Sequence, residues 1–218
     1  MTGGDEQVEL ILASRSPRRA HLLRMLGLAF QVEEPAVDET PRAGEESAEQ
    51  VERLARAKAR DVARRAGRSW VVGGDTVVAL EGRVLGKPSS QEEALEMLLR
   101  LQGRSHRVFS GVALATPAGE LHSAVEEVSV RFRPFSREAA EAYVATGEPM
   151  DKAGAYGIQG LGAALVDSVN GDFYAVMGLP VARLLDLFRA EGGLEYRFGV
   201  WVRRDHPESP GVVSEASG

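Results

Sequence analysis
Several charged residues in this chain stand where local rules favour others. Arg18 and Arg19 follow Ser16-Pro17 in SPRRAHLLRMLG. That stretch reads as a helix with Ser16 as N-cap and Pro17 in its first turn, an end where the helix dipole favours anions over cations. The two arginines are either solvated surface groups or part of an anion site, where free N–H groups and guanidinium forks converge on phosphate. Lys58 falls on the apolar stripe of Val51, Leu54, Ala55 and Val62 on a second helix. It either snorkels to water from the stripe's edge or reaches an anion in a cleft. Asp75 interrupts WVVGGDTVVAL, the strongest strand signal in the chain. An ionised carboxylate there needs a cation or strong hydrogen bonds. It is either a structural aspartate tying down a loop, or a metal ligand or general base. Gly73 and Gly74 remove side chains beside it, which would let a ligand approach closely.

Lys87 in GKP is either a plain turn lysine or a further phosphate contact. It is no Walker A lysine, because proline follows it. Asp38 and Glu39 in VDET, taken alone, are solvated loop carboxylates. Taken together, these residues fit a polyphosphate held by cations, with Mg²⁺ or Mn²⁺ bridging to carboxylates.

Composition narrows the alternatives. The chain has no cysteine and four dispersed histidines, which excludes thiol catalysis and disulfides and argues against a zinc enzyme. A net charge of −6 is a poor basis for general binding to nucleic acid or membrane surfaces. The start, MTGGDEQVE, lacks the apolar stretch of a signal peptide, and the longest apolar run is too short to span a bilayer. The expectation is a cytoplasmic enzyme or binding protein.

The elements that must position these residues alternate. VELILA (8–13) reads as a buried strand and FQVEEPA (30–36) as another. A helix opens at Ser47 with S-A-E-Q and runs to about Ala66. WVVGGDTVVAL continues through Glu81-Gly82 as a hairpin. Ser90 begins a further helix. Residues 106–116 and 120–132 alternate as an antiparallel pair, followed by helices at 136–147 and about 180–189. This order predicts an α/β fold, a mixed sheet covered by helices. DKAGAYGIQG (151–160) is too glycine-rich for a helix and too polar for a buried strand, so it reads as a loop. After residue 190 the pattern fades; YRFGVWVRR (196–204) could add a strand or a dimer contact, and the end, PESPGVVSEASG, is expected to be disordered.

ILASRSPRRAHLL, VDET, LARAKA, VVGGDTVV, GKP, GEPMDKAGAYGIQG and a later GLP resemble, in order, the motifs of the Maf family of nucleotide pyrophosphatases. The resemblance runs from about residue 8 to 190. It implies a two-lobed α/β/α fold with an elongated mixed sheet and a central cleft, like that of inosine triphosphate pyrophosphatase. Residues 1–190 would form that single two-lobed domain and 191–218 a C-terminal extension. It also implies hydrolysis of a nucleoside triphosphate between its α- and β-phosphates. By motif position Asp75 takes the catalytic role as proton acceptor, and Glu39 that of a metal-associated carboxylate. Ser14, Arg18, Arg19, Lys58 and Lys87 become substrate and phosphate contacts. Arg18, Thr76 and Gln159 map to specificity positions. DKAGAYGIQG matches the branch acting on dTTP and UTP rather than on 7-methyl-GTP, with Gln159 reading a pyrimidine edge and the glycines admitting the ligand. A divalent cation, Mg²⁺ or Mn²⁺, and a homodimer follow from the same resemblance. The rival readings are 7-methyl-GTP hydrolysis and a non-enzymatic regulator of septum formation.

Overall fold
The computed structural model describes residues 9–191, 194–197 and 200–203. Its centre is a seven-stranded mixed sheet, built around β3 (Trp70–Leu80), the apolar run that holds Asp75. β1 (Leu10–Ala13) pairs with the first part of β3 in parallel, from Leu10 opposite Trp70 to Ala13 opposite Gly73, and β2 (Gln31–Glu33) lies parallel outside β1. β4 (Arg83–Leu85) pairs with the last part of the same edge, from Val78 to Leu80. The turn between β3 and β4 has positive φ at Glu81 (51°) and Gly82 (76°), the geometry of a tight hairpin. Across the other edge, β5 (Ser105–Ala115) pairs antiparallel with residues 71–79, then β6 (Leu121–Phe132) and β7 (Val166–Asn170) follow.

This arrangement notches the sheet. On the β1/β4 edge, neither strand pairs with residues 74–77 of β3. Successive side chains of a strand point to opposite faces, so the notch presents Asp75 to one face and Thr76 to the other.

On the Asp75 face lies α2 (Ser47–Ala63), whose Val51, Leu54, Ala55, Ala59 and Val62 are buried. Glu46, one residue earlier than expected, is its cap, and its N–H donates to the Glu49 carboxylate at 3.3 Å. Gly73 and Gly111 set how closely this helix lies. A Cβ on Gly73 would be 2.3 Å from the Ala55 carbonyl oxygen, and one on Gly111 2.4 Å from that of Val51. Gly73 therefore makes room for a helix backbone and not for a ligand, which corrects the sequence-based expectation. The opposite face carries the larger core, from Leu10 and Leu12 to Leu98, Phe132 and Phe188. It is covered by α1 (Pro17–Met25), α3 (Gln91–Leu101), α4 (Arg137–Ala145) and α6 (Val181–Glu191).

Between α4 and β7 the chain makes three 3₁₀ turns, Glu148–Asp151, Ala153–Ala155 and Gly160–Leu165. α5 (Phe173–Met177), which carried no sequence signal, follows β7. β8 (Leu194–Arg197) and β9 (Val200–Arg203) form a separate hairpin, so part of YRFGVWVRR is strand. Tyr196 of β8 donates to the Leu26 carbonyl, fastening the hairpin near the end of α1. The expected disorder of the chain's end concerns residues 204–218, which lie outside the described residues. Among the described residues no helix is long and apolar enough to cross a membrane.

Candidate active site
A cavity of about 540 Å³ opens at the notch in β3. Its lining brings together the residues to which the family resemblance assigned a role, Ser14, Arg18, Arg19, Glu39, Lys58, Asp75, Thr76, Lys87 and Gln159. Asp38, beside Glu39, accepts from the N–H and hydroxyl of Thr40 and shapes the VDET loop instead.

The α2 wall holds a charged triad. Lys58 Nζ lies 2.8 Å from Asp75 Oδ1 and 3.0 Å from Glu39 Oε2. Lys58 and Asp75 are 5% and 7% exposed, so each neutralises a charge that would be costly to bury alone. Lys58 thus reaches inward from the apolar stripe and does not snorkel to water. Glu39 approaches from its loop, half-exposed. That loop is fastened to α2 by Arg53, which donates from Nε and Nη2 to both oxygens of Glu45 and holds the Glu45 carboxyl down at about 2.

The Thr76 face is organised by Arg19. Its Nε donates to the Gly178 carbonyl at 2.7 Å, Nη1 to Ser14 Oγ at 3.2 Å and Nη2 to Thr76 Oγ1 at 3.3 Å. Arg19 therefore ties the α1 loop, β3 and the end of α5 together, with three of its five N–H donors committed to the protein. Burial lowers its pKa, opposed by the charge of Asp75. Thr76 Oγ1 also shares a hydrogen bond with Ser110 Oγ at 2.8 Å. Val176, Met177 and Gly178, at the end of α5, also line the cavity and were not picked out as site residues from the sequence, where the one signal was the GLP motif beginning at Gly178.

The third wall is the segment after α4. Arg18 Nη1 donates to Asp151 Oδ2 at 2.8 Å, and Asp151 Oδ1 accepts from Lys152 at 2.6 Å. Burial raises the Asp151 carboxyl, but Lys152 and Arg18 outweigh it and leave the pKa lowered. Tyr156 is anchored beneath, its hydroxyl 2.8 Å from His106 Nε2. Lys87 is exposed at the cavity and pairs with no carboxylate among the described residues. The Gln159 carboxamide is half-buried, lines the cavity and makes no side-chain hydrogen bond to the described residues.

The donor set bears on a divalent cation. Among the described residues no group of three or more His, Cys, Asp or Glu could hold a metal. Two carboxylates, Asp75 and Glu39, do converge on Lys58. Mg²⁺ typically takes one or two carboxylates together with substrate phosphates and water, so the residues fit an ion that arrives with a polyphosphate.

Fold and cavity together define an α/β protein with a cleft whose cations and carboxylates face one polyanion-sized space. The family model described as Maf-like protein matches residues 9–191, and the chain belongs to that family. It is 54% identical over 184 residues to the dTTP/UTP pyrophosphatase of Symbiobacterium thermophilum, covering 84% of this chain and 94% of that one. It is 46% identical over 183 residues to the dTTP/UTP pyrophosphatase of Halalkalibacterium halodurans, covering 84% and 96%. Among solved structures, the Ham1 protein of Staphylococcus aureus overlaps 57% of this chain and 71% of its own at a TM-score of 0.40 and 20% identity.

Proposed function
We propose that this protein hydrolyses dTTP and UTP between the α- and β-phosphates, releasing the nucleoside monophosphate and pyrophosphate. The observation that carries this is one cavity in which six cations (Arg15, Arg18, Arg19, Lys58, Lys87 and Lys152), three carboxylates (Glu39, Asp75 and Asp151) and the uncommitted carboxamide of Gln159 meet. The names of its close relatives point the same way.

Asp75 orients the attacking water and takes its proton as oxygen bonds to the α-phosphorus and pyrophosphate leaves. Lys58, bonded to Oδ1, fixes that carboxylate and leaves Oδ2 for the water. Arg18, Lys87 and the remaining donors of Arg19 offset phosphate charge, which increases at the leaving oxygen. Ser14 and Thr76 hold Arg19 in place for this task. Glu39 and Asp75 would hold Mg²⁺ or Mn²⁺ with the phosphates, and the ion would supply further charge neutralisation. Gln159 offers donor and acceptor to a pyrimidine edge, which presents N3–H between two carbonyls. The net charge of −6 argues against general binding to nucleic acid or membrane surfaces, and a cytoplasmic homodimer is what the family resemblance implies.

A panel of nucleoside triphosphates, assayed with each ion for pyrophosphate release, tests the reading. dTTP and UTP should lead. Orthophosphate as first product would overturn the bond assigned, and equal turnover of 7-methyl-GTP the base preference.

A further inference from the structure
Gln159 lies in a segment that a residue outside the cavity closes on itself. Glu148 Oε2 accepts the Leu161 N–H at 3.0 Å, and Oε1 accepts the Gly162 N–H at 3.0 Å and the Tyr143 hydroxyl at 2.9 Å. The Tyr143 oxygen in turn accepts the Gly157 N–H at 3.1 Å. Backbone donors on both sides of Gln159 therefore end on one Glu–Tyr pair.

Gly160 and Gly162 fit this clamp. Gly160 has φ +77°, and a Cβ there would lie 2.8 Å from Glu148 Oε2. On Gly162 a Cβ would be 2.3 Å from the Gly157 carbonyl oxygen and 2.5 Å from the Tyr143 hydroxyl. On Gly157 it would meet the Lys152 stem at 2.8 Å. For Gly160 this corrects the expectation that the glycines of DKAGAYGIQG admit the nucleotide, while Gly157 does line the cavity. Burial pushes the Glu148 carboxyl up, but its bonds to Gly162, Leu161 and Tyr143 outweigh that and leave its pKa lowered, so it stays an anionic acceptor. Its side chain makes no hydrogen bond to Asp75, Lys58 or Glu39.

We propose that Glu148 is a positioning residue for base recognition, whose carboxylate fixes residues 157–162 so that the Gln159 carboxamide is presented in a preset orientation. The proposal rests on the reading of Gln159 as the base contact. A preset group avoids the ordering cost on binding, so loss of the clamp acts on affinity and discrimination while the hydrolytic residues on α2 and β3 stay in place.

Glu148→Gln is the test. The carboxamide keeps one acceptor oxygen but turns an NH₂ toward a backbone N–H that needs an acceptor. KM for dTTP and UTP should rise about tenfold, the scale of one lost hydrogen bond to a charged group, with kcat within about twofold. Preference for pyrimidine over purine triphosphates should fall, and the Leu161 and Gly162 amides should exchange faster with solvent. Gln159→Ala should lose the same preference, and the double variant should lose no more than Gln159→Ala alone. Tyr143→Phe, which keeps the ring, should give the same pattern more weakly and serves if Glu148→Gln does not fold. An unchanged base preference in a folded Glu148→Gln or Tyr143→Phe protein overturns the proposal. So does a uniform drop in kcat on every substrate with a lowered Tm, the signature of a merely structural role. If Gln159→Ala keeps the pyrimidine preference, the base contact itself is wrongly assigned, and the role of Glu148 falls with it.

Discussion

The two walls of the cleft hold their polar groups by opposite means. On the α2 wall, Lys58 and Asp75 project from a helix and a strand whose backbones meet at Gly73, and they are buried against each other. On the loop wall, Gln159 projects from a chain of 3₁₀ turns, held by hydrogen bonds among Glu148, Tyr143 and backbone N–H groups. The first wall takes its rigidity from packing, and its charges are fixed by an ion pair in low dielectric. The second takes it from local polar bonds, and the Gln159 carboxamide makes no side-chain hydrogen bond among the described residues. Of the groups proposed to act on the phosphates, common to all nucleoside triphosphates, Arg18, Arg19, Lys58 and Asp75 sit on regular elements, and Glu39 and Lys87 on short loops beside them. The group proposed to distinguish bases sits on the segment most easily remodelled by substitution.

That contrast can be broken from either side, and the largest effect belongs to the α2 wall. Asp75→Asn should lower kcat by roughly 10²–10⁴-fold, the range of general acid–base catalysis, with an unchanged circular dichroism spectrum. A folded variant with near-normal turnover would remove Asp75 from the mechanism. Next, Lys58→Met leaves Asp75 buried without its cation. Removing one partner of a buried pair costs about 3–5 kcal/mol, and chemical denaturation should show a loss on that scale. A much smaller loss would mean that water reaches the pair and that the α2 wall is softer than its burial implies.

The loop wall should respond to acid. Burial holds the His106 imidazole, which anchors Tyr156, down at about 4, below its ordinary 6.5. The unfolded chain therefore binds this proton first. The contribution is full above pH 6.5 and is lost as pH falls from 6.5 toward 4, with a slope of at most about 1.4 kcal/mol per pH unit. His106→Gln should flatten that part of the stability–pH curve; an unchanged curve removes the histidine as its source. Smallest of all, Asp151→Asn releases Arg18 from an exposed pair whose carboxylate is 58% exposed. Stability should change by less than about 1 kcal/mol, and KM for dTTP by only a few-fold. A larger shift would make the Arg18–Asp151 contact part of recognition instead of its frame.

The α2 wall was far more legible in sequence than the loop wall, for physical reasons. A lysine on an apolar helical stripe and an aspartate inside an apolar strand violate burial patterns with known periods, so both stand out without any knowledge of their partners. The hairpin at Glu81-Gly82, the Ser16 and Ser90 caps and the β5–β6 pair were legible because turn and cap chemistry is local. The loop wall lacks such a period. Glu148 bonds to N–H groups thirteen and fourteen residues further on, and backbone N–H groups leave no mark in a sequence. α5 has only five residues, too short for an apolar stripe to repeat. Gly73 was visible as a glycine, but its reason, the carbonyl of Ala55, lies on another element. The Ser47 cap was displaced by its neighbour Glu46, an offset of the size at which cap patterns are ambiguous.

The notch in β3 has a consequence for what alterations the gene can tolerate. Asp75 and Thr76 serve opposite faces of one strand, so the site is read in steps of a single residue. Losing one codon between Trp70 and Gly74 could not be absorbed as a slightly worse enzyme. If the rest of the strand kept its pairing with β5, the altered start would face β1 with its two buried faces exchanged. If the start kept its pairing, Thr76 would turn toward Lys58 and Asp75 toward Arg19. Neither compromise keeps both walls, so length in this strand is inherited as all or nothing, while the turns around Glu148 have no such parity.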